Sequence, residues 1–183
     1  MRTGAEQIQV AAVGDSITAG SPWDADPAVG WPAAAAAVDP RLCFTVRAVY
    51  GKRTDEIAAW VDEAATGAEV LVVQGGINDI AQGRPVAAAA GNLRAMIDRG
   101  LELGLHVAVA DVLPWNNGWP AAEPQIRELN ALIDGLGAPV LQFHETLEDP
   151  ERPGRMREEW TVEGDHPSVE GYRRLGELAF RLP

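Results

Sequence analysis

Short apolar runs alternate with amphipathic segments of helical period five times along this chain, and that alternation limits its fold more than any other feature. Residues 8–13, 42–49, 69–74, 106–110 and 139–143 read as strands. Residues 31–38, 54–66, 85–103, 123–136 and 168–180 read as helices, with Pro32 tolerated in a first turn and Ser168 placed to cap the last helix. Val70-Leu-Val-Val73 is apolar throughout, as expected of a strand covered on both faces rather than one. Leu93, Met96, Ile97 and Leu101 form a single stripe on their helix. Strands and helices in this order predict a three-layer α/β/α sandwich on a parallel sheet of five strands.

The chain has 183 residues, enough for one domain over 1–183 that buries roughly 70% of the surface its unfolded form exposes. No repeat, low-complexity tract or linker divides it. The formal net charge of −12 argues against nucleic acid and against anionic membrane surfaces as partners. The first residues, Met1-Arg-Thr-Gly-Ala-Glu-Gln7, are polar, and no apolar run reaches membrane-spanning length. A cytoplasmic location is therefore expected. The one cysteine, Cys43, lies in a strand-like run and reads as a buried core thiol. No Cys/His cluster has metal-ligand spacing.

Parallel α/β sheets gather their reactive groups at the carboxyl ends of the strands. The segments that follow the apolar runs here hold most of the unusual residues. Gly14-Asp15-Ser16 follows the first, Gly51-Lys-Arg-Thr54 the second, Gly75-Gly-Ile-Asn-Asp79 the third and Pro114-Trp-Asn-Asn-Gly-Trp119 the fourth. Glu163-Gly-Asp-His-Pro167 precedes the last helix. Ser16, at the tip of a sharp turn, stands where a nucleophile stands. Of the three histidines, His106 falls on the opposite rim and His144 has no evident partner, so both read as structural. His166 is the candidate base. Glu163, three residues earlier, can fold back onto Nδ1–H and leave Nε2 for the serine proton. Asp165 is the second choice, because adjacent side chains diverge in extended backbone. Gly51 offers a backbone amide that can approach a substrate closely, Asn78 an uncharged NH₂, and Ser16 its own amide; together they suit a developing oxyanion.

With those residues in place, the chain resembles the SGNH hydrolase superfamily, the GDSL esterase/lipase family. Gly14-Asp-Ser-Ile-Thr18 matches the family's first block and Gly51 with the residues after it the second. Gly75-Gly-Ile-Asn-Asp-Ile80 matches the third and His166-Pro-Ser-Val-Glu-Gly-Tyr172 the fifth. The blocks occur in order across nearly the whole chain. The resemblance implies a flavodoxin-like strand order of 2-1-3-4-5, Ser16 as nucleophile, His166 as base, and an oxyanion hole of Ser16, Gly51 and Asn78. It implies no metal or organic cofactor. Two positions depart from the family pattern: Glu163 stands where aspartate is usual, and Val46 and Ala48 stand where the second block has asparagine and glycine.

A small-molecule ester is the expected partner, with short-chain esters, acetylated sugars or aryl esters favoured. Trp23, Trp31, Trp115, Trp119 and Trp160 fall near the active rim and are candidates for contacting it, since aromatic faces suit sugars and aryl groups. The charged stretch 148–159 reads as a flexible flap. Acyl transfer or thioester hydrolysis by the same triad, and a non-catalytic binding module of the same fold, are the competing readings. The oligomeric state is not legible.

Overall fold

The computed structural model describes residues 6–21 and 29–183. Five strands form a parallel sheet: β1 (Ile8–Gly14), β2 (Leu42–Ala48), β3 (Val70–Val73), β4 (His106–Ala110) and β5 (Val140–Leu141). Their spatial order is β2-β1-β3-β4-β5, as the resemblance implies. In the central register Val13 lies beside both Arg47 and Val73, and Val73 beside Val109. The carboxyl ends of β1, β3 and β4 therefore finish level, which aligns the loops that follow them.

Helices cover both faces because β1, β3 and β4 are apolar on both. Alternate residues go to opposite layers. Ala11, Val13, Leu71, Val73, Val107 and Val109 pack under Ile57, Leu93, Met96, Ile126 and Leu129. These come from α3 (Thr54–Ala58), α6 (Val86–Glu102) and α7 (Ala122–Asp134). Val10, Ala12, Val72, Ala108 and Ala110 pack under Trp31, Phe143, Tyr172 and Leu175 on the other face. Those come from α2 (Trp31–Val38), α8 (Phe143–Leu147) and the last helix, α9 (Val169–Arg174), which widens into a π-turn over Leu175–Ala179. Ser168 caps α9, its Oγ accepting from the Gly171 amide at 3.2 Å.

Several expectations are corrected. The helix expected over 54–66 is two short pieces, α3 and α4 (Val61–Ala64), separated where the Trp60 amide bonds back three residues to Ile57 O at 3.0 Å. Cys43 is half-buried, because β2 is an edge strand with no strand on its outer side among the described residues. The stretch 148–159 is not a flap. It folds into a hairpin, β6 (Glu148–Asp149) with β7 (Arg152–Met156), followed by a 3-10 turn at Glu158–Trp160. Met156 is fully buried, and the Asn116 side chain bonds both its amide (2.7 Å) and its carbonyl (2.9 Å). Two short helices, α1 (Ser16–Ala19) and α5 (Ile77–Ala81), occupy segments that read as loops. Among the described residues no helix is long and apolar enough to cross a membrane.

Candidate active site

The turn after β1 is built by polar staples. Asp15 caps α1, its Oδ1 accepting from the Ile17 amide at 2.9 Å, so Ser16 becomes the first helical residue. Gln74, at the end of β3, accepts from the Asp15 amide at 3.2 Å and from Thr18 Oγ1 at 2.9 Å through one oxygen. Gly14 has no room for a side chain here: an added Cβ would lie 2.5 Å from Gln74 Oε1 and 2.6 Å from Thr18 Oγ1. The glycine of the Gly-Asp-Ser motif is thus required by a glutamine sixty residues on. Burial pushes the Asp15 carboxyl up to about 6, opposed by its bonds to the Ile17 amide and Gln74.

The histidine loop folds back on itself before α9. The carbonyl of His166 accepts from Thr161 Oγ1 at 2.8 Å and from the Val162 amide at 3.1 Å. This holds the ring over the end of β1, with Nε2 3.1 Å from Ser16 Oγ. On its other side Nδ1 bonds Glu163 Oε1. Ser16 and His166, 150 residues apart, share one hydrogen bond, with the Nδ1 tautomer set by a carboxylate. Asp165 does not take part; it accepts from Trp115 Nε1 at 2.6 Å. The loop after β4 braces this arrangement further, with Asn117 Nδ2 donating to Glu163 O at 2.6 Å and the Asn116 amide to Gly164 O at 2.9 Å.

The loops after β2 and β3 are laced together. Asn78, on α5, donates through Nδ2 to Lys52 O at 3.1 Å and to Asp15 Oδ2 at 3.3 Å. Gln82 Nε2 holds Gly51 O at 3.0 Å. Asp79 accepts from both the amide (2.9 Å) and the hydroxyl (2.8 Å) of Thr54. Gly51 adopts φ +74°, a left-handed value that a glycine takes without strain. Its amide and that of Ser16 donate to no group among the described residues. Asn78 borders the cavity beside Ser16; Gly51 does not, and is tied to it through Lys52 and Asn78.

That cavity, of about 130 Å³, opens between the loops after β3 and β4. Ser16 and His166 lie against it, Ile17, Ile77, Val112, Leu113 and Trp115 wall it, and Gln74 and Asp111 add polar surface. Asp111 is buried, accepts from the His144 amide at 2.7 Å, and is pushed up to about 7 by burial.

The tryptophans divide. Trp115 lines the cavity, and Trp119 packs edge-on against it with ring centres 5.3 Å apart. Trp31 is corrected to a core residue. It is fully buried among Phe44, Phe143 and Phe180, because the first turn of α2 points it into the sheet layer. Trp160 is corrected too: its 3-10 turn directs it between the guanidinium groups of Arg157 and Arg174, bordering a separate cavity. Trp23 lies outside the described residues. Gln74 and Asp111 escaped the sequence reading. The signal was a polar residue closing an apolar run, at the rim where such sites form. Among the described residues no group of three or more His, Cys, Asp or Glu side chains is placed to hold a metal ion.

The sequence pattern of the GDSL-like Lipase/Acylhydrolase family matches residues 12–174. No curated protein matches the chain. Solved structures of the same fold include a G-D-S-L family protein from Desulfitobacterium hafniense DCB-2, 21% identical with a TM-score of 0.80 over 93% of this chain and 97% of that one. A lipolytic G-D-S-L family member from Veillonella parvula DSM 2008 is 20% identical, with a TM-score of 0.80 over 92% and 94%. A lipase/acylhydrolase from Enterococcus faecalis is 22% identical, with a TM-score of 0.77 over 93% and 92%. At these identities the likeness is one of fold.

Proposed function

Because the chain belongs to the GDSL-like Lipase/Acylhydrolase family, we propose that it is a serine esterase that hydrolyses short-chain carboxylic esters through an acyl-enzyme on Ser16. The observation that carries this reading is the 3.1 Å approach of Ser16 Oγ to His166 Nε2, with Glu163 on the far ring nitrogen. In the proposed cycle Ser16 Oγ attacks the ester carbonyl as its proton passes to Nε2. Glu163 keeps Nδ1 protonated and stabilises the imidazolium that results. The tetrahedral oxyanion is met by the amides of Ser16 and Gly51 and by Asn78 Nδ2, which leaves one of its present acceptors. Collapse expels the alcohol, which takes the proton from Nε2. Water then attacks the acyl-enzyme by the same route.

The cavity supports a small acyl group. At about 130 Å³ it is near the size of an apolar cavity that holds one benzene ring, roughly six heavy atoms. A fluorophosphonate is expected to label Ser16 in the native protein and to leave Ser16→Ala unmarked. With p-nitrophenyl esters from acetyl to decanoyl, kcat/KM should fall beyond the short chains. An unlabelled Ser16, or equal rates at every chain length, overturns the respective half of the proposal.

A further inference from the structure

Ser16 has a different environment on each side. The cavity lies on one side, between the loops after β3 and β4. The loop after β2 borders the other, since β2 and β3 flank β1 on opposite edges. Tyr50 leads that loop. Its hydroxyl donates to Gly20 O, at the end of the short helix that Ser16 begins, so the side chain spans α1. The Val49 amide donates to Gly14 O at 3.2 Å and fixes the backbone just before it. The Tyr50 ring centre lies 6.1 Å from that of His166, at a tilt of 51°, within the contact range of aromatic pairs. Although tied at its tip, Tyr50 is 42% exposed and belongs to neither hydrophobic layer.

The chemistry says what such a ring can meet. His166 Nε2 returns its proton to the leaving oxygen, so whatever that oxygen carries lies against the imidazole as it departs. The acyl part takes the cavity, and the alcohol part is left to the side where Tyr50 stands. Resting on the esterase reading above, we infer that Tyr50 binds the leaving alcohol and that the preferred esters carry an aromatic ring on that alcohol. A flat ring can lie against the exposed face of Tyr50 or meet its edge. The surroundings favour an aromatic alcohol over a sugar. The Tyr50 hydroxyl is spent on Gly20, and Val49 beside it is 40% exposed. Lys52 and Arg53, next along the loop, are engaged by Glu56 at 2.6 Å and Asp55 at 3.0 Å. A sugar would find few free partners for its hydroxyls there, whereas an aromatic ring needs none.

The test holds the acyl group constant and varies the alcohol, comparing benzyl acetate with ethyl acetate in the native protein, Tyr50→Phe and Tyr50→Ala. The two alcohols are of nearly equal acidity, so intrinsic reactivity separates the esters little. The readout is the ratio of kcat/KM, which reports the steps up to release of the alcohol and cancels general damage to the loop. The benzyl ester should lead by about tenfold or more in the native protein. Tyr50→Ala should cut that lead about threefold or more, the scale of one aromatic contact. Tyr50→Phe gives up the bond to Gly20 but keeps the ring, and should keep most of the lead. Equal values in the native protein, a lead that Tyr50→Ala leaves intact, or one lost as fully in Tyr50→Phe as in Tyr50→Ala overturns the assignment. So does 6-O-acetylglucose outrunning benzyl acetate. In each of these cases labelling of Ser16 by a fluorophosphonate keeps the esterase reading in place. No turnover of either acetate overturns the inference as well, and a Ser16 that also resists the fluorophosphonate removes the esterase reading with it.

Discussion

Asp165, although adjacent to His166 in the chain, accepts its hydrogen bond from Trp115 Nε1 at 2.6 Å. The imidazole is left to Glu163. Glu163→Ala is therefore expected to lower kcat by about 10²–10⁴, as loss of an orienting acid does elsewhere. Asp165→Ala should cost less than about tenfold in kcat and act instead on KM, because it frees the Trp115 ring at the cavity wall. Steady-state kinetics on one short ester decides between them. A larger kcat loss in Asp165→Ala reverses the assignment.

Asn78 is bound at present to Lys52 O and Asp15 Oδ2, both acceptors it can exchange for an oxyanion. Asn78→Ala should reduce kcat by about 10²–10³ with little change in KM, since a donor aimed at developing charge acts mainly in the transition state. Rise of KM at constant kcat would make Asn78 a ground-state contact only.

What the sequence disclosed follows from which interactions are local. The layering was legible because Val70-Leu-Val-Val73 and its counterparts are apolar on both faces, which only a covered parallel sheet accommodates, whereas the strand order came with the family resemblance alone. The Glu163–His166 contact was legible because it spans one turn. The hairpin over β6 and β7 was not, since its anchor is the Asn116 side chain, forty residues from Met156. Trp31 misled for a related reason: the same residue serves a rim or a core depending on helix phase, and its ring partners, Phe44, Phe143 and Phe180, come from three distant segments. Asp111 reads as an ordinary strand-end aspartate until α8 is seen to present its amides to it.

Trp31→Ala should therefore act on stability and not on substrate contact. Removing a fully buried indole costs about 3–5 kcal/mol, read as a lower urea midpoint. Trp115→Ala, at the cavity wall, should instead shift KM and leave the midpoint nearly in place. A Trp31 variant of native stability would return that residue to the surface.

Gly14→Ala is expected to damage the site from behind. The new methyl meets Gln74 Oε1 and Thr18 Oγ1, so the staple on the Asp15 amide must open or β1 must shift. Overpacking of this kind costs about 1–3 kcal/mol. Because the displaced group positions Ser16, kcat should fall more steeply than the urea midpoint. A Gly14→Ala protein with native kcat would show the turn to be pliant.

The burial of Asp111 gives stability a definite pH dependence. Its carboxyl moves from an ordinary value of 3.8 in the unfolded chain to about 7 in the folded one. The folded state holds the proton more tightly, so this group favours folding most at low pH. That advantage is lost as pH rises from about 4 through about 7. Asp111→Asn keeps an oxygen for the His144 amide and removes the charge. The variant and the native protein should thus have similar unfolding free energies at pH 4. At pH 8 the variant should be the more stable by a few kcal/mol, on the order of 1.4 kcal/mol for each tenfold change in proton affinity. Losses of surface ion pairs in acid affect both proteins and cancel in the difference. Urea titrations at pH 4, 6 and 8 measure it, and a variant less stable than the native protein at pH 8 would mean that the charged carboxylate is the form the fold requires.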